Sequence, residues 1–183
     1  MRDISLHILD IAENSLRAGA NLIRISVTAD TLKDTLTVSI EDNGSGMSKE
    51  MLERVRSPFT TTRTTRKIGL GIPLLAAGCE ASGGHLEIES AIGTGTKLTA
   101  LYGYSHIDRP PLGNLAETVS ALTLANPEID FVFTASKAET FEFDTRIIKD
   151  TLDGVAITEP AVMVFIRDCL EEGTMQVFGG HDI

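Results

Sequence analysis

Residues 3–19 read Asp-Ile-Ser-Leu-His-Ile-Leu-Asp-Ile-Ala-Glu-Asn-Ser-Leu-Arg-Ala-Gly. At helical period, Ile4, Ile8 and Ile11 fall on one side, with Leu9, Ala12 and Leu16 beside them. Asp3, His7, Asp10, Asn14 and Arg17 recur at intervals of four, three, four and three, which makes one continuous polar stripe on the other side. Asp3 is placed to cap the start of this helix and Gly19 to end it. A polar stripe on a helix ordinarily faces water. Three glycine-bearing segments downstream give this one something else to face.

Working outward, residues 22–29 and 35–42 alternate apolar and polar, with Ile23, Ile25 and Val27 on one face of the first run and Leu36, Val38 and Ile40 on one face of the second. The polar turn at 30–34 joins them as an antiparallel hairpin. The second strand runs into Asp42-Asn-Gly-Ser-Gly-Met47, whose spaced glycines allow a tight turn and close approach of backbone to a ligand. Ser48 is a candidate N-cap for a helix over about 49–56. Residues 57–68 lose all periodicity and crowd threonines together with Arg63, Arg66 and Lys67, a cationic and hydroxylic loop suited to phosphate oxygens. Gly69-Leu-Gly71 then opens a helical segment that reaches Ser82. A glycine turn at a helix N-terminus presents free N–H groups and the positive end of the dipole to an anion. Residues 85–90 and 97–102 alternate as a second antiparallel hairpin around Ala91-Ile-Gly-Thr-Gly-Thr96.

The composition bounds the function. The 183 residues carry 42% hydrophobic residues and a formal net charge of −10, from 16 Lys plus Arg against 26 Asp plus Glu. That balance opposes non-specific binding to nucleic acid or to an anionic membrane. No apolar run approaches membrane-spanning length, and no signal sequence is evident. Cys79 and Cys169 have neither metal-ligand nor redox-pair spacing, and the expected compartment is the reducing cytoplasm.

Taken in order, these motifs resemble the ATP-binding domain of the GHKL superfamily, which includes histidine kinases, gyrase, a heat-shock chaperone, MutL and anti-sigma kinases. Asp10 to Asn21 resembles the N box, closest to its MutL version. Asp42 to Met47 resembles the first glycine box, Ser57 to Thr61 the phenylalanine box, Lys67 to Leu75 the second glycine box, and Gly83 to Leu98 the closing hairpin of histidine kinases. The resemblance implies an α+β Bergerat fold over residues 1–104, a two-layer sandwich of a mixed, mostly antiparallel sheet with helices on one face. It implies ATP and Mg²⁺ as ligands. Asn14 would bind the metal and Asp42 would accept the adenine amino group. Gly44 and Gly46 would admit the base, with Met47 packed on it. Arg17, Thr61, Arg63 and Lys67 would lie toward the phosphates, Gly69, Leu70 and Gly71 would form the lid, and Thr96 would support the adenine carboxylate.

The departures bear on mechanism. Family members that hydrolyse ATP carry a glutamate base four residues before the asparagine. This chain has Asp10 there, one methylene shorter, as the candidate catalytic base. Glu13 points away from the stripe and ranks below it. His7 lies one turn before Asp10 and is expected to be partly exposed. Only nine residues precede Asp10, so a histidine kinase's phosphoacceptor hairpin is not expected upstream. Residues 105–183 read as a separate small α+β module: a linker at 108–114, a helix at 115–124, a hairpin at 129–144, and helices at about 145–153 and 159–171. Phe131, Phe133, Phe141 and Phe143 are assigned to its core. Its expected job is packing on the ATP-binding domain, forming a homodimer or contacting a partner protein.

Three functions fit these readings: an ATPase or protein phosphotransferase acting with a separate partner protein, a nucleotide-sensing module with little turnover, and a non-catalytic assembly subunit. The arrangement also resembles the stand-alone ATPase-like proteins that accompany iron-only hydrogenase subunits, which names a redox or hydrogenase assembly as a candidate partner.

Overall fold

The computed structural model describes residues 3–56 and 71–179. Helix α1 (Ile4–Arg17) starts where Asp3 Oδ1 accepts from the Leu6 N–H at 2.9 Å. It ends at Ala18, and Gly19 takes a left-handed φ of +76° that redirects the chain. Strands β1 (Leu22–Asp30) and β2 (Thr35–Asp42) form the expected antiparallel hairpin, with Ile25 opposite Ile40. Helices α2 (Lys49–Arg56) and α3 (Gly71–Ala81) follow, then the hairpin β3 (His85–Ala91) and β4 (Gly95–Gly103). The Ser48 hydroxyl accepts from the Met51 N–H at the start of α2. The remaining elements are α4 (Leu115–Ala125), β5 (Asp130–Ser136), β6 (Thr140–Asp144), α5 (Thr145–Thr151) and α6 (Pro160–Phe178).

All six strands belong to one sheet in the order β3-β4-β2-β1-β5-β6. Every pairing is antiparallel except β1 with β5. Strand alternation sends Ile23, Ile25, Val38, Ile40, Leu98, Ala100, Phe131 and Phe133 to one face, where all are buried with Ile4, Ile8, Val119 and Ile166 of the covering helices. The opposite face carries Arg24, Ser26, Ser39, Glu41, Lys97 and Thr99. This is the mixed two-layer α+β fold that the motifs imply.

Two features depart from the sequence reading. Among the described residues, those from 105 onward do not build a sheet of their own. β5 lies in register along β1, with Ile25 opposite Phe133, so the nucleotide-box segment and the extension share a sheet and a core. The linker is equally bound in: the Ile4 and Ser5 N–H groups, unsatisfied within α1, donate to the Pro111 and Leu112 carbonyls at 2.9 Å each. A Cβ on Gly113 would stand 2.6 Å from Asp3 Oδ1 and from Ser5 Oγ.

The second departure is the length of α6, which runs on to Phe178 rather than stopping near 171. Gly173 lies in the added stretch. It sits inside the helix, and a Cβ there would overlap the Phe141 ring at 2.3 Å. A residue that reads as a helix breaker is the notch that lets α6 pack on β6. The four phenylalanines are core-forming as expected: Phe131, Phe133 and Phe143 are buried, and Phe141 meets Phe133 edge to face at 6.4 Å.

Candidate functional site

β2 ends at Asp42, and the strand's alternation turns its carboxylate toward the helices, where the residue is 8% exposed. Oδ2 accepts from the Ser15 hydroxyl at 2.7 Å and Oδ1 from the Gly44 N–H at 2.8 Å. An ionised carboxylate offers about four lone-pair sites, so acceptor capacity is left for a donor from outside. Asp42, Leu52, Ile88, Ser90, Gly95 and Thr96 line an open cleft of about 660 Å³.

The turn after Asp42 is fixed from both sides. Asn43 Oδ1 accepts from the N–H groups of Asn21 and Leu22, both at 3.0 Å. The Ser45 N–H donates to the Ala18 carbonyl at 2.9 Å, and a Cβ on Gly44 would stand 2.9 Å from that same oxygen. Gly46 has φ +65°, and a Cβ there would come within 1.9 Å of the Ala91 carbonyl oxygen. The Met47 N–H donates to Ser90 Oγ at 2.9 Å, and the Ser90 hydroxyl donates to the Gly95 carbonyl at 2.9 Å. Gly44 and Gly46 are thus required first by the protein's own backbone. Thr96 lies opposite Asp42 in the β2–β4 ladder, but its hydroxyl bonds Ser90 at 2.9 Å. The hydroxyl that supports the Asp42 carboxylate is that of Ser15, a residue the sequence reading did not single out. The signal was available, because a hydroxyl at the core-facing side of an amphipathic helix needs a partner.

Further along α1, the Asn14 side-chain oxygen accepts from Arg17 Nη1 at 2.9 Å, and Arg17 Nη2 pairs with Glu13 Oε2 at 2.8 Å. The Arg17 side chain is exposed, so this ion pair is held loosely. Asp10 is in the opposite situation. Its Oδ2 is buried with no hydrogen-bond partner among the described residues. It faces the first residue of α3, and a Cβ on Gly71 would overlap that oxygen at 1.6 Å. The base candidate and the second glycine box therefore meet. His7 is buried, at 6% exposed, contrary to expectation, and its Nδ1 also lacks a partner among the described residues. Burial lowers its pKa from 6.5, against the opposing pull of the Asp10 and Asp3 carboxylates.

Asp42, Gly44, Gly46, Met47 and Thr96 are gathered at one end of the sheet, and Asp10 and Gly71 are brought together at the start of α3. Thr61, Arg63, Lys67, Gly69 and Leu70, with the phenylalanine box, lie outside the described residues.

The family model described as histidine kinase-, DNA gyrase B-, and HSP90-like ATPase matches residues 2–103. The chain is similar to the non-motile and phage-resistance protein of Caulobacter vibrioides, 31% identical over 59% of this chain and 14% of that protein. Sporulation kinase D of Bacillus subtilis is 30% identical over 50% of this chain and 18% of that protein. Sensor protein kinase FleS of Pseudomonas aeruginosa is 36% identical over 51% of this chain and 23% of that protein. The chain thus spans less than a quarter of the length of each. Among solved structures, the Aquifex aeolicus MutL ATPase domain complexed with ADP matches in fold with a TM-score of 0.51 and 18% identity, covering 78% of this chain and 64% of that one. That coverage exceeds the segment matched by the family model, so the shared fold reaches into the extension. No helix among the described residues is long and apolar enough to cross a membrane. With its N-box helix, glycine turns and closing hairpin assembled on one sheet, the chain belongs to the histidine kinase-, DNA gyrase B- and HSP90-like ATPases, a family of ATP-binding domains.

Proposed function

We propose that the chain binds Mg-ATP in the cleft beside Asp42 and acts as a histidine-kinase-like ATPase or protein phosphotransferase on or with a separate partner protein. The observation that carries this reading is the pairing of two differently treated carboxylates. Asp42 is oriented by Ser15 and Gly44 with acceptor sites to spare, as recognition of an amino group requires. Asp10 keeps a buried oxygen beside Gly71 with no partner among the described residues, as suits a proton acceptor.

Asn14 would hold Mg²⁺ through its side-chain oxygen, which has one lone pair free beyond the Arg17 bond. The orphan oxygen of Asp10 fits a cation-bearing, water-containing site better than a dry one. Bound Mg²⁺ supplies charge neutralisation on the phosphate oxygens. Asp42 selects the base, the glycine turn fixes where the base sits, and Asp10 takes a proton from the attacking water or hydroxyl. Its short side chain supports a second reading, a nucleotide-sensing module that turns over little.

The test is calorimetric titration of the chain with ATP, with and without Mg²⁺, alongside phosphate release in wild type and Asp10→Asn. The expected result is Mg-dependent binding in both, with release lost in the variant. Binding without release at any protein concentration leaves the sensing module. No binding refutes both readings.

A further inference from the structure

We propose that the groove between α5 and α6 is the docking site for a basic amphipathic helix of a partner protein. Ile147, Ile148 and Leu152 form one wall, and Ala161, Val162 and Phe165 form the other, around about 420 Å³ of open space. Ile147 is 64% exposed and Phe165 60% exposed. Large apolar side chains clustered on a surface mark an interaction site, and a trough between two helices suits the apolar face of a third.

The charges around the groove choose the occupant. The cations of this region are already engaged: Arg146 with Asp144 at 2.6 Å, Lys149 with Asp130 at 2.7 Å and Arg167 with Asp168 at 3.4 Å. Asp150, Asp153 and Glu159 have no ion pair among the described residues. Asp153 and Glu159 flank the connection that joins the two walls. The connection beside the groove therefore carries acidic side chains without a paired cation among the described residues. A second copy would bring the same acidic side chains against it, and an anionic membrane would be repelled. A helix with Lys or Arg beside its apolar face complements both features. The groove lies at the β6 edge of the sheet, and two strands separate β6 from Asp42 on β2. Its variants therefore leave the nucleotide cleft alone.

The probes are two labelled helical peptides with the same leucine face, one flanked by lysines and the other by glutamates, titrated against the whole chain by fluorescence anisotropy. The lysine peptide is expected to bind about tenfold tighter than the glutamate peptide. Phe165→Ser should weaken it about tenfold with the melting temperature unchanged. The double reversal Asp153→Lys, Glu159→Lys should exchange the peptide preference, which keeps the proposal open to refutation if Phe165→Ser misfolds. Equal affinity for the two peptides, no binding, or a preference that survives the double reversal overturns the proposal. So does a concentration-dependent dimer in sedimentation velocity that Phe165→Ser abolishes, since a second copy would then be the occupant.

Discussion

Asp42 and Asp10 are the two carboxylates of the proposed nucleotide site, and the fold treats them in opposite ways. Asp42 is clamped by a hydroxyl and a backbone N–H on a turn that is itself pinned to the end of α1 and to the β3–β4 hairpin. Asp10 faces the first residue of a helix and has an oxygen without a partner among the described residues. A carboxylate held on both oxygens by the protein, with acceptor sites to spare, is pre-organised for recognition, because little reorganises when a ligand arrives. A buried carboxylate oxygen without a partner is costly, and that cost is relieved when a water or proton reaches it. On the proposed reading, the end at Asp42 is built to hold still, and the end at Asp10 is built to be completed by what binds.

The most forceful way to break this contrast is through the two glycines. Gly46→Ala drives a Cβ into the Ala91 backbone carbonyl at a left-handed φ, and the turn cannot yield. The expected destabilisation is on the order of 3 kcal/mol, read from urea or thermal unfolding. Gly71→Ala meets only the movable end of the Asp10 side chain, so stability should fall by less than about 1 kcal/mol while phosphate release is lost. Equal stability losses in the two variants would remove the distinction between a fixed and an adjustable end.

Next in size is affinity. Asp42→Ala should weaken ATP binding about 100-fold, a change of about 2.7 kcal/mol by calorimetry, and Asp10→Asn should change it less than about threefold. If the two variants lose affinity alike, Asp42 is not the specific reader of the base. Ser15→Ala should cost about tenfold in affinity because it frees the Asp42 carboxylate, and Thr96→Val about threefold or less. The reverse ranking would return the supporting role to Thr96.

The smallest effect is in pH. Burial depresses the pKa of His7 in the folded state, so the unfolded chain binds the proton more readily. The stability associated with neutral His7 is therefore complete above about pH 6.5 and declines as the pH falls through and below that value. His7→Gln should flatten that part of the unfolding profile. A slope that persists in the variant would place its origin elsewhere.

The local layer of this fold was legible in the sequence. Ile23, Ile25 and Val27, like Leu36, Val38 and Ile40, announce their strands because alternation depends only on near neighbours. The role of Asp3 as cap and of Gly19 as terminator is local in the same sense. What could not be read depends on partners far away in the chain. The parallel match of Ile25 with Phe133 joins residues more than a hundred positions apart, and nothing in either strand encodes it. Ser15 looks unremarkable until Asp42 is placed beside it. Gly173 has no visible role until Phe141 fills the space where its side chain would be. At the site, Asp42, Gly46 and Gly71 stood out in the sequence through the end of a strand and the spacing of glycines. The contacts that make the glycines special, the Ala91 carbonyl and the Asp10 carboxylate, needed the assembled sheet.

The seam between β1 and β5 also sets a timetable. A ribosome releases β1 early, yet the strand that covers its free edge is complete only at Ser136. At about 5–20 residues per second, that leaves an unpaired strand edge waiting roughly 5–20 seconds for its neighbour. The nascent chain must pass through that interval with one flank of β1 open to any other strand that comes by. Cutting the chain after Gly103 would make the interval permanent.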